Sequence, residues 1–138
     1  MAQYLKPIPV PNADTLPFWE GCKQHKLLIQ RCKACGHHQF YPRHVCTNCM
    51  SLEPEFVPST GRGEIYTFIV VHRAPTKVFE PEIPYVVAVI QLDEGVRMMS
   101  NIVDCPIDAV KIGMRVEVFF DDVSDSIALP RFKLMTMD

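Results

Sequence analysis

No run in this 138-residue sequence approaches the eighteen or so consecutive apolar residues that cross a bilayer. Its first residues, Met1-Ala2-Gln3-Tyr4-Leu5-Lys6, show no charged region leading into an apolar stretch, so no export signal is expected. An excess of charge of one sign is also missing. The formal net charge of −2 gives no global pull toward nucleic acid or an anionic membrane. There is no glycine-rich phosphate loop, because Gly61-Arg62-Gly63 is too short and lacks the flanking strand and helix. Nor does a nucleophile stand beside a base and an orienting group. Cys105 precedes Pro106 with nothing local to activate its thiol, and His72 falls inside a strand-like run. The sequence therefore points away from a membrane protein and from an enzyme acting alone.

What is present is a globular composition, 48% hydrophobic and 22% charged, at a length suited to one modest core with a small satellite. The strongest pattern is Cys32-Lys33-Ala34-Cys35 followed by Cys46-Thr47-Asn48-Cys49. A C-x-x-C turn brings two thiolates within reach of one metal, and two such turns complete a tetrahedral four-sulfur shell. The pattern is read as one structural zinc held by Cys32, Cys35, Cys46 and Cys49, with a rubredoxin-like iron or a pair of disulfides as the alternatives. Four thiolates leave no open position for substrate. Gly36 suits the turn after the first knuckle, whereas Met50 makes the second less typical. His37, His38 and His44, between the knuckles, are taken as surface or supporting groups. Cys22 and Cys105 remain as free thiols, which fits a reducing cytoplasm.

Taken in order, residues 1–12 carry Pro7, Pro9 and Pro11 and are expected to run extended or disordered. A short helix is expected from Asp14 to about His25, capped by Asp14 or Thr15, with Phe18, Trp19 and Cys22 on one face. Strands are expected at 26–31 and 39–43, each leading into a knuckle, which gives a zinc ribbon. From Gly61 the sequence turns β-rich, with strands expected at 64–73, 83–92, 97–103, 114–120 and 129–135 and a short helical turn within 106–111. Five strands with a helical turn between the third and fourth match an OB-fold barrel, with a plain meander as the alternative. The expected division is 1–55 for tail, helix and ribbon and 56–138 for the barrel. The first part has six basic and four acidic groups, the second eight and twelve, for nets of +2 and −4.

Several motifs together resemble a known family. Cys32-x-x-Cys-Gly, Cys46-x-x-Cys, Gly61-Arg-Gly-Glu-Ile-Tyr-Thr-Phe, Val71-His-Arg-Ala-Pro, Pro84-Tyr-Val-Val-Ala, Leu92-Asp-Glu-Gly and Gly113-Met-Arg-Val are similar to the DUF35 group. The resemblance runs from Asp14 to Phe132. It implies a zinc ribbon plus OB fold, acyl-CoA association, and a thiolase-fold condensing enzyme as partner that supplies the nucleophilic cysteine.

On this basis a CoA ester would need Lys or Arg at the mouth of its site, and Arg73, Lys77, Arg131 and Lys133 are the candidates. Tyr66 and Phe132 are candidates for the pantetheine arm. Phe18, Trp19, Val78 and Phe79 are candidate partner contacts. The competing functions are nucleic-acid binding, which the acidic barrel and dispersed basic residues disfavour, and a pure interaction scaffold.

Overall fold

The computed structural model describes residues 6–135. Expectations for residues 1–5 lie outside the described residues. Among those described, no helix is long and apolar enough to cross a membrane.

The N-terminal segment is irregular up to a single short helix, α1 (Leu16–Lys23). Neither expected residue caps it with its side chain. Instead Asn12 Oδ1 accepts the backbone N–H groups of Asp14 and Thr15, both at 3.0 Å. A side-chain acceptor ahead of the first turn meets donors that have no partner within the helix. The helix is shorter than the expected 14–25 span, and His25 beyond it takes a left-handed φ of 60°. The buried face is the expected one: Phe18, Trp19 and Cys22 all point into the core.

Three strands form the ribbon sheet, β1 (Leu28–Cys32), β2 (His38–Gln39) and β3 (Pro54–Pro58), in the order β2-β1-β3. The strand expected at 39–43 stops at Gln39. Residues beyond it follow an irregular path toward the second knuckle, held by side chains rather than by a ladder. Strand β3 was not expected, since two prolines frame it. It nevertheless pairs with β1 over its whole length, from Leu28–Pro58 to Cys32–Pro54. Prolines are tolerated at a sheet edge, where a missing N–H breaks no ladder on the outer side.

The remaining strands, β4 (Arg62–Val71), β5 (Tyr85–Leu92), β6 (Arg97–Val103), β7 (Arg115–Asp122) and β8 (Ala128–Leu134), close a barrel in the order β4-β5-β6-β8-β7. All pairings are antiparallel except β6 with β8. This is the expected five-stranded OB-type barrel rather than a meander. The expected turn between the third and fourth strands is a short 3₁₀ helix, Ile107–Ala109, and the long loop after β4 folds into another, Lys77–Glu82. Alternate residues of β5 (Val86, Ala88, Ile90, Leu92) face inward, as the two-residue period of a strand requires. Gly63 sits where β4 crosses β5, and a Cβ there would collide with the Gln91 carbonyl.

Ribbon and barrel share one core. Phe18, Trp19, Cys22, Leu27 and Ile29 pack in the same cluster as Ile65, Ile90 and Phe132. Polar clamps reinforce the joint. Glu94 accepts Ser59 Oγ at 2.8 Å and the Thr60 N–H at 2.9 Å. His25 stacks on Phe120 with centroids 5.3 Å apart, and its Nε2 lies 3.0 Å from Asp122 Oδ1.

Candidate metal centre and the groove beside it

The ribbon sheet brings the two knuckles together. In each, the backbone N–H four residues after the first cysteine donates back to that cysteine's carbonyl: Gly36 to Cys32 at 2.8 Å and Met50 to Cys46 at 3.0 Å. Both turns need positive φ, 78° at Gly36 and 67° at Met50, so the second knuckle adopts the usual shape despite its side chain. The four sulfurs lie within 4.8 Å of one another, with Cys32–Cys49 and Cys35–Cys46 at 3.6 Å. A tetrahedron with zinc–sulfur bonds of about 2.3 Å has edges of about 3.8 Å, so the arrangement fits one zinc. The same distances are far beyond a disulfide bond of about 2.0 Å. The four cysteines therefore hold one structural zinc.

Local donors already favour thiolates. The Asn48 side chain and the His37 N–H lower Cys35 to about 6. The Cys35 N–H lowers Cys32. Against the pull of the Ser51 N–H, burial and the three neighbouring thiols push Cys49 up to about 12. Gathering four like charges is what a divalent cation offsets. The histidines between the knuckles stay outside this shell: His37 Nε2 is 3.4 Å from Thr47 Oγ1, and His44 Nδ1 is 3.9 Å from Asp14.

Two buried glutamines fix the irregular segment between the knuckles. Gln30 Oε1 accepts the Arg43 N–H and the Gln39 side chain, both at 2.8 Å, and Gln30 Nε2 donates to the Arg43 carbonyl at 2.9 Å. Gln39 Nε2 donates to the Val45 carbonyl at 3.2 Å, and its Oε1 accepts the Thr47 N–H at 2.9 Å. These side chains replace the missing ladder, so no buried side-chain N or O is left without a partner among the described residues. Neither glutamine was among the residues expected to build the site. A glutamine at an inward position of each of two paired strands (Gln30 opposite Gln39) was the available signal.

The segment forms one wall of an open groove of about 510 Å³ between ribbon, helix and barrel. Phe40, Tyr41 and Arg43 face the β6 stretch from Arg97 to Asn101 and β8 residues Leu129–Arg131, with Phe18 and Trp19 at the side. Arg131 is held firmly, its Nε donating to Asp121 Oδ2 at 3.0 Å and its Nη1 to Asn101 Oδ1 at 2.9 Å. It also borders a smaller pocket of about 240 Å³, shared with Phe79 and Tyr85.

The other candidate cations do not converge on this place. Lys133 pairs with Asp104 at 3.2 Å and lies over the Phe119 ring, while Arg73 and Lys77 are exposed near and within the β4–β5 loop. Phe132 is 0% exposed and so faces the core, not a ligand. Tyr66 is exposed, under the Arg97 guanidinium. Among the candidate contacts, Phe18 keeps 1% of its surface and Trp19 9%, while Val78 and Phe79 are half-buried against the barrel. Of the two remaining thiols, burial pushes Cys22 up to about 12, and burial with the nearby Asp104 raises Cys105.

Comparison with known proteins agrees with this architecture. A family model described as the ChsH2 rubredoxin-like zinc ribbon domain matches residues 19–55, and one described as the ChsH2 C-terminal OB-fold domain matches residues 56–121. The chain is 43% identical to a DUF35 domain-containing scaffold protein of Methanocaldococcus jannaschii over 109 residues, 78% of this chain and 77% of that protein. It is 37% identical to a probable enoyl-CoA hydratase alpha subunit of Thermomonospora curvata, covering 94% of this chain but only 40% of the relative's length. It is 30% identical to the benzoylsuccinyl-CoA thiolase subunit BbsA of Geobacter metallireducens, over 79% of this chain and 66% of that one. A solved structure named Ltp2-ChsH2(DUF35) aldolase superposes with a TM-score of 0.82 at 36% identity, covering 92% of this chain and 98% of that one.

Proposed function

The chain belongs to the DUF35 family, and from that membership we propose that it is a non-catalytic zinc-binding subunit of a thiolase-type complex acting on acyl-CoA. It supports assembly and the acyl-CoA site of a thiolase-fold condensing enzyme, which brings the nucleophile. The observation that carries this reading is the state of the cysteines. Four form a closed metal shell with no position for substrate, Cys22 is an inert core thiol, and burial together with Asp104 keeps the sixth, Cys105, in its protonated, unreactive form. Relatives named as a thiolase subunit, a hydratase subunit and a scaffold protein support it. Free thiols and thiolate ligands support a reducing, cytoplasmic setting.

Among Arg73, Lys77, Arg131 and Lys133, Arg131 is the best prepared to meet a CoA phosphate or carbonyl. Asp121 and Asn101 fix its guanidinium, and Nη2 is left for a further acceptor. The ligand would approach from the Phe79 and Tyr85 side. The test is to purify the chain with and without the thiolase-like protein of its source and to assay both for zinc and for thiolysis of a 3-oxoacyl-CoA. A co-purifying pair with one zinc per chain, active only as the pair, is expected. A large protein fully active alone, with the chain left monomeric, refutes the proposal. Partner binding without any change in CoA-ester affinity would leave only the scaffold role.

A further inference from the structure

The groove between ribbon and barrel is one-sided in charge. Arg43, Arg97 and Arg131 line it and no Asp or Glu does, although acids outnumber Lys and Arg by 16 to 14 in the whole chain. Arg43 ties into its own segment through its backbone, which leaves its exposed guanidinium outside the glutamine network. Arg97 is held 3.8 Å over the Tyr66 ring. The rest of the lining is apolar, with Trp19, Phe40 and Met98 among it.

The same groove runs along an open strand edge. Strand β5 covers one side of β6 from Arg97 to Ile102. Strand β8 registers with the other side only at Ile102–Phe132 and Val103–Lys133. The stretch Arg97–Asn101 therefore has no ladder partner toward the groove. Across the gap, Pro130 has no N–H to offer, and its carbonyl takes Ser100 Oγ at 2.8 Å instead. An open edge in an otherwise closed barrel is a template for an added strand. Five residues of strand span about 17 Å.

We propose that an extended segment of the partner enzyme, carrying Asp or Glu between apolar side chains, lies in this groove and pairs with the free edge of β6. This deepens the partner-subunit reading and rests on it. The acids meet Arg43 and Arg97, the apolar side chains meet the aromatic wall, and the main chain meets the β6 edge. Unpaired main-chain groups are what favour a peptide here over an acyl chain or a nucleotide.

The test uses the zinc-loaded full chain with the thiolase-like protein, with R43E/R97E and R43K/R97K as variants. Exchange at the groove-facing amides of Arg97, Met99 and Asn101 should slow at least tenfold in the wild-type complex, since those of Met98 and Ser100 already face β5. R43E/R97E should weaken partner binding at least tenfold while keeping its zinc and its Tm, and R43K/R97K should retain most of the affinity. If the complex forms but these amides exchange as before and R43E/R97E binds as tightly as wild type, the inference falls and the subunit reading stands. If CoA or an acyl-CoA alone protects the same amides without the partner, the groove is a ligand site and the inference is overturned. If no complex forms, the subunit reading fails and the inference with it.

Discussion

Replacing Gln30 by Leu probes the segment between the knuckles directly. The side chain is 3% exposed and makes three hydrogen bonds, at 2.8, 2.8 and 2.9 Å. Leucine fills a similar volume but leaves the Arg43 N–H, the Arg43 carbonyl and one Gln39 contact unmet. A buried polar group without a partner costs about 1–3 kcal/mol. Gln39 still reaches Val45 and Arg43 lies near solvent, so two full penalties are the upper end. The added apolar burial returns about 1 kcal/mol. The net expectation is a loss of about 2–3 kcal/mol, which for a domain of this size lowers Tm by about 8–12 °C. Thermal unfolding of the zinc-loaded protein, together with the rate of zinc removal by a chelator, measures both consequences. Gln24, exposed after α1, gives the control substitution Q24L, which should change neither. If Q30L melts within 2 °C of wild type and releases zinc no faster, the glutamine pair does not hold this segment.

Three further outcomes follow from local geometry. Gly63→Ala drives a Cβ into the Gln91 carbonyl and should cost about 2–3 kcal/mol in a denaturant titration, with the m-value unchanged. Met50→Gly relieves a left-handed residue whose side chain is 76% exposed, and should slow chelator-driven zinc loss and not hasten it. Arg115 holds the Asp93 carboxyl below its usual value of 3.8 through two contacts, at 2.8 and 3.0 Å. A depressed carboxylate stabilises the fold above its unfolded pKa and loses that contribution as pH falls through the lower folded value. The Tm gap between wild type and D93N should therefore be small at pH 7, since both groups are exposed, should begin to shrink as pH falls below about 4, and should vanish once pH is under the lower folded value. A gap that widens on acidification would contradict the pairing.

Much of the architecture was legible because it is written in short-range chemistry. Paired C-x-x-C spacing located the metal, and alternating β-branched runs located all five barrel strands. Expectation and structure part where tertiary partners decide. Strand β3 hides behind two prolines, since an edge position and not the local residues makes it a strand. The run from Gln39 to Arg43 looks extended in sequence, yet its backbone is satisfied by glutamines from the sheet beneath. Asn12, outside the residues that pattern alone suggested, fixes the turn that leads into α1. The Phe18, Trp19 and Cys22 stripe marked α1, but its apolar bulk turns inward, so Phe18 is not the exposed contact expected of it. The arginine-lined groove was invisible because Arg43, Arg97 and Arg131 are far apart in sequence and meet only when the ribbon packs on the barrel.

The wall formed by Phe40, Tyr41 and Arg43 hangs between two metal-binding turns and has little ladder of its own. Zinc binding on the order of 10–16 kcal/mol is large beside what so small a lobe gains from burial. A copy lacking its ion loses one bank of the groove, and with it the ribbon side of the core that Leu27 and Ile29 share with the barrel. If the proposed partner segment binds that groove, its recognition also inspects the metal: a subunit without zinc would not be admitted to the assembly.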